Sequence, residues 1–177
     1  MKKLILGSAI LAVLGVAPNA MAAQNTGTVK LTGAVSTATC DLSLKDSAGG
    51  DISNVNLGVL SSTATANGTA VPFKLVPQDQ TCLTKTSANV AWSSSTLDSA
   101  GISNAATGGT NAYLLISATN ATKTGNAAVI KQGQTSFDYS ITGGIKSFDY
   151  SAVLAKPTAA LTAGPFNASA SYVVTYK

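Results

Sequence analysis

The chain has 177 residues, with eleven Lys, seven Asp and no His, Arg or Glu. Without His there is no Ser-His-Asp or Cys-His catalysis and no imidazole metal ligand, and without Arg there is no bidentate clamp on phosphate or carboxylate. Charged residues make up 10%, against roughly 25% in an ordinary soluble domain, so the surface must be built from Ser, Thr, Asn and Ala, a composition that suits an extracellular β protein.

Residues 1–22 read as a secretory signal peptide. Lys2 and Lys3 form the basic start, Leu4 to Val16 the apolar stretch, and Ala20-Met21-Ala22 a small-residue cleavage point after Pro18. The apolar run is shorter than the roughly 20 residues a membrane span needs. Losing Lys2 and Lys3 takes the formal charge from +4 to +2. The remaining dispersed lysines make no nucleic-acid surface. Residues 23–177 have the length of one domain. Cys40 and Cys82, exported to an oxidising compartment, read as one disulfide.

Alternation with intervening turn residues then runs along the chain. Val29, Leu31, Gly33 and Val35 alternate with polar or small neighbours, and a polar turn follows Cys40 around Lys45 to Asp51. Strands are expected over 52–60, 71–76, 88–94 and 113–119, with Asn67-Gly68 as a turn and 93–111 as a long surface loop. Ser136-Phe137-Asp138-Tyr139-Ser140 recurs as Ser147-Phe148-Asp149-Tyr150-Ser151 around Gly143-Gly144, which predicts a hairpin with matched arms. Asp138 and Asp149 invite a paired-carboxylate reading, but strict alternation already explains them as the outer face of two aromatic strands. The last strand alternates Phe166, Ala168, Ala170, Tyr172, Val174 and Tyr176. No ten-residue stretch after residue 22 shows a helical stripe, so the fold class is all-β, an antiparallel sandwich.

Gly164 is the fourteenth residue from the end and Tyr176 the penultimate one. With the alternation between them, this C-terminus resembles that of chaperone–usher fimbrial (pilus) subunits of the type 1-like kind. Gly33-Ala34-Val35 before Cys40, Val55-Asn56-Leu57-Gly58, Phe73-Lys74-Leu75 before Cys82, and the Phe148, Tyr150, Ala152, Leu154 strand stand in the family's order. Stretches such as Cys82-Leu83-Thr84-Lys85-Thr86 look closest to the major subunit of sialoglycolipid-binding fimbriae of enterotoxigenic bacteria. The resemblance implies an incomplete immunoglobulin-like β-sandwich of six strands, completed by donor-strand exchange. Residues 23–32 would be the donor extension, with Gly27, Val29 and Leu31 filling groove pockets, and 33–177 the pilin domain. The C-terminal strand from Gly164 to Lys177 would line the groove and meet a periplasmic chaperone, which grips the Lys177 carboxylate before an outer-membrane usher adds the subunit to neighbouring copies of itself.

The resemblance also implies a cell-surface fimbrium. Adhesion to host sialylated glycolipid would need a cation for the sialate carboxylate, and Lys123, Lys131 and Lys146 are the candidates. Trp92 reads as core rather than as a sugar platform. No enzyme motif is present in the sequence, and no cofactor or metal is expected. The competing reading is a free-standing secreted carbohydrate-binding sandwich, which has no use for an alternating N-terminal tail.

Overall fold

The computed structural model describes residues 24–35 and 40–177; the signal-peptide reading of 1–22 lies outside them. In chain order the strands are β1 (Gln24–Val35), β2 (Leu42–Asp46), β3 (Asn54–Ser61), β4 (Val71–Pro77), β5 (Ser87–Ser93), β6 (Ile102–Ser103), β7 (Tyr113–Ala118), β8 (Ser136–Ser140), β9 (Phe148–Ala155) and β10 (Phe166–Tyr176). A one-turn helix, α1 (Gln80–Leu83), stands between β4 and β5, and a 3₁₀ turn covers Gly125–Ala128. Two five-stranded sheets form, ordered β3-β1-β10-β5-β8 and β2-β4-β9-β7-β6. Every named strand pair is antiparallel except β1 with β10, which is parallel.

The alternation becomes burial. In β10, Phe166, Ala168, Ala170, Tyr172, Val174 and Tyr176 point inward while their neighbours stay at or near the surface. Each sheet therefore buries one face against the other, the arrangement of a β-sandwich. Rings hold the two layers together. Trp92 of β5 lies edge-on to Tyr150 of β9 at 5.0 Å and tilted against Tyr172 of β10 at 5.4 Å. Phe73 of β4 stacks on Tyr150 at 5.3 Å. The polar tips are satisfied inside this cluster: Trp92 Nε1 donates to Tyr150 Oη at 3.2 Å, and Tyr139 and Tyr150 share a hydroxyl hydrogen bond of 2.7 Å.

Two expectations are corrected. The near-repeat is not a hairpin. β8 pairs with β5 in one sheet, while β9 pairs with β4 and β7 in the other. The connection crosses between layers because it is pinned on the way: Ile145 is buried and its N–H donates to Lys85 O at 2.7 Å. The matched copies thus face each other across the core, with Tyr139 edge-on to Phe148 at 4.9 Å. Secondly, the polar stretch after Cys40 hides a strand. Leu42 and Leu44 belong to β2, which pairs with β4, and the turn begins only after Asp46.

The loop over 93–111 is more structured than its composition suggests. Asp98 accepts from the N–H groups of Ala100 and Gly101 at 2.7 and 3.1 Å and from the Ser103 hydroxyl, which folds the chain back so that β6 joins β7. These hydrogen bonds, the Ser103 one foremost, hold the Asp98 carboxyl below its ordinary range.

Candidate functional site: a strand-accepting groove

The site begins with a gap. β3 and β10 belong to one sheet yet share no hydrogen bonds; β1 lies between them and supplies both edges. On one side, Gly27 to Val35 pair in parallel with Phe166 to Val174. On the other, Gln24 to Lys30 pair antiparallel with Ser61 to Asn54, with a bulge between Gly27 and Thr28. Taking β1 away would leave two rows of unpaired backbone groups and a bare apolar floor, the hazard of an open sheet edge. β1 crosses the expected boundary between 32 and 33 without a break, because Gly33 to Val35 continue the same ladder opposite Tyr172 to Val174.

Size governs the side-chain fit. Val29 and Leu31 are buried, and they sit opposite Ala168 and Ala170, whose small side chains leave them room. Gly27 and Gly33 sit opposite Phe166 and Tyr172. A Cβ on Gly33 would come within 2.1 Å of the Tyr172 ring, and one on Gly27 within 3.3 Å of Leu57 and 3.4 Å of Phe166. The donor pattern small-large-large-small therefore meets the groove pattern large-small-small-large. β3 adds Val55, Leu57 and Leu60, all buried, as the second wall.

Each end of the groove is held. Gly164 takes φ of +149°, and a Cβ there would meet the backbone of Gly108 to Thr110 at 2.8–2.9 Å, so only glycine lets the chain turn into β10. Asn104 completes that end. Its side-chain amide donates to Thr110 O and Pro165 O, both at 2.8 Å, and its carbonyl accepts from Ala106 and Asn167. Ala105 N–H then reaches Asn167 O at 2.8 Å, so the loop serves the part of β10 that β5 does not reach. Sequence reasoning missed Asn104; an Asn inside a Ser/Asn/Gly-rich loop carries no distinguishing pattern. At the other end, the Lys177 N–H donates to Ser87 O at 2.9 Å and its Nζ lies 3.2 Å from Asp138 Oδ1. Asp138 also accepts from Asn89 at 3.0 Å; these hydrogen bonds, with the Lys177 charge, lower its carboxyl below the ordinary range. Tyr176 packs against Phe148 at 6.1 Å, and its buried hydroxyl has no hydrogen-bond partner. Burial pushes that phenol up to about 12.

The remaining sequence candidates fall as follows. Cys40 and Cys82 form a disulfide with Cα atoms 6.2 Å apart, tying the start of the sandwich to α1. Trp92 is buried. Asp138 and Asp149 point outward from opposite sheets, because the aromatics beside them fill the core between, so they form no carboxylate pair. Lys123 donates to Ser136 O at 3.3 Å and stands 5.8 Å from the Phe137 ring centre. Lys146 donates to Leu83 O at 3.1 Å, beyond the Ser140 end of β8. These two therefore belong to opposite ends of β8. Lys131 is half-buried in a bridge to Gln134. An open depression of about 430 Å³, lined by Ser117, Thr119, Thr124 and Asn126 among others, adjoins only Lys123 in sequence.

Comparison with known proteins follows the same lines. The K99 fimbrial protein of Escherichia coli is 37% identical over 165 residues, covering 88% of this chain and 89% of that protein. The fimbrial protein family matches residues 29–177. The chain belongs to this family. As a fimbrial protein it is a structural subunit of a surface filament, not an enzyme. The crystal structure of the P pilus rod subunit PapA superposes with a TM-score of 0.50 at 21% identity, covering 79% of this chain and 100% of that one, and so shares the fold. The groove and its strand lie within the family match from Val29 onward.

Proposed function

We propose that this fimbrial protein is the repeating subunit of its filament and that copies join by donor-strand exchange. In this reading β1 of one copy leaves its own groove and enters that of the next. The observation that carries it is the position of β1: an N-terminal strand, joined to the rest of the chain only at its C-terminal end, supplies both edges of an internal gap. Such a strand can be exchanged without dismantling another element, and one donor and one groove per copy make a head-to-tail contact that does not close on itself. A periplasmic chaperone would occupy the groove before assembly by lending a strand along β10, with the Lys177 carboxylate as its anchor, and an outer-membrane usher would be the place of exchange.

The test is a non-boiled denaturing gel of assembled material from the full chain and from a chain lacking 24–32. The full chain should give a ladder of resistant multimers, and the deletion should give none while remaining captured by chaperone. Multimers from the deleted chain would overturn the reading.

Adhesion to host sialylated glycolipid is a second proposal, favoured at Lys123 by the adjoining polar depression. Lys123→Ala should weaken binding of fimbriae to sialylated glycolipid while Lys146→Ala leaves it unchanged. Equal binding by the wild type and Lys123→Ala would remove Lys123 from the site.

A further inference from the structure

We infer that the groove reads only a size pattern, that this pattern is the same in both directions, and that a neighbour's β1 therefore enters reversed, with Gly33 against Phe166 and Gly27 against Tyr172. The inference rests on the donor-strand reading above and adds its direction and register.

The side chains argue first. In its own groove the tail presents Gly27, Val29, Leu31 and Gly33 to Phe166, Ala168, Ala170 and Tyr172. Turned end for end, it presents Gly33, Leu31, Val29 and Gly27 to the same four residues. Glycine still meets each ring, and each branched side chain still meets an alanine. The opposing wall of Val55, Leu57 and Leu60 is apolar along its length and does not distinguish the two directions.

The backbone is equally indifferent. β1 is antiparallel to β3 and parallel to β10, so β3 and β10 run antiparallel to each other. Any strand between them makes one parallel and one antiparallel ladder, whichever way it points, so the small stability difference between ladder types cancels.

What separates the two directions is the tether. Cys40 is fixed at the end of the sandwich where β10 finishes: its disulfide partner Cys82 leads into Ser87, whose carbonyl accepts the Lys177 N–H. A reversed strand would place Val35 about ten residues up β10 from Val174, some 33 Å at about 3.3 Å per residue. Five residue steps from Cys40 reach at most about 18 Å. A chain cannot reverse its own tail, so the reversed occupant is a second copy.

One acceptor position distinguishes the registers. In the folded chain Thr32 pairs with Ser171, their hydroxyls 2.9 Å apart. In the reversed register Thr28 takes that place. Both threonines are exposed, so cysteines are tolerated there. Fimbriae are assembled from two mixed chains, one Ser171→Cys and the other either Thr28→Cys or Thr32→Cys, then mildly oxidised, with peptide mapping to show Cys40–Cys82 intact. The expected result is a covalent 28–171 link between copies in boiled samples and no 32–171 link between copies. A 32–171 link between copies, or neither link in material that still gives the resistant ladder, would overturn the reversed register and leave donor-strand polymerisation standing. Loss of the ladder from the unsubstituted chain would overturn both.

Discussion

Gly33 shows how much one missing side chain can decide. Any Cβ there meets the Tyr172 ring, so Gly33→Val forces the ring off its rotamer or the strand off its ladder, at about 1–3 kcal/mol. The expected readout is a lower urea midpoint for the folded monomer with an unchanged slope. Tyr176 gives the opposite sign. Its buried hydroxyl has no partner, and such a group costs about 1–3 kcal/mol to bury. Tyr176→Phe should therefore unfold at the same or higher denaturant concentration than the wild type. The phenol also sets an alkaline limit. It titrates near 10 when unfolded and at about 12 when folded, so the folded state binds the extra proton in between. Its contribution is fully present below about pH 10 and disappears as the pH rises to about 12. Absorbance at 295 nm should show this late titration, with the wild type losing stability over that window faster than Tyr176→Phe.

Among the elements, β1 and β10 were the most legible in the sequence, because both alternate strictly and each carries its own end signal. What pattern could not supply was the partner. Period-two alternation says that a strand has two faces; it says nothing about which strands flank it or in which direction. That is why the two aromatic near-repeats, each correctly placed as a strand with its rings inward, were expected as a hairpin and instead face each other from opposite sheets. β2 was lost for another reason: five half-buried residues, one of them Lys45 paired with Asp51 at 2.8 Å, read as turn chemistry. In the groove, Val29 and Leu31 were visible as apolar alternates and Gly27 as a small residue, whereas the pairing of Gly33 with a ring required the register. Leu31→Ala should leave a void beside Ala170 and cost about 2–5 kcal/mol. The same substitution should lower the temperature at which fimbriae release monomers in detergent, since the side chain fills a groove in either state.

On the scale of the whole molecule, stability and assembly share one staple. The disulfide closes a loop with a sequence separation of 42, for which the chain-entropy estimate is roughly 4 kcal/mol. It also fixes the point from which β1 departs. Cys40→Ala with Cys82→Ala should lower the accumulated level of folded subunit sharply, measured as protease-resistant protein in the periplasm; undiminished accumulation would show the staple to be dispensable.

The aromatic cluster has an optical consequence. The chain holds a single Trp, and that indole leans on Tyr172, the ring that Gly33 covers. Removing the strand uncovers Tyr172 and lets water approach the indole, whereas a glycine over the ring in either orientation shields it again. Trp92 emission should thus match in monomer and filament and shift to the red only while the groove stands empty. A stopped-flow trace of that transient would time the handover itself, without any label.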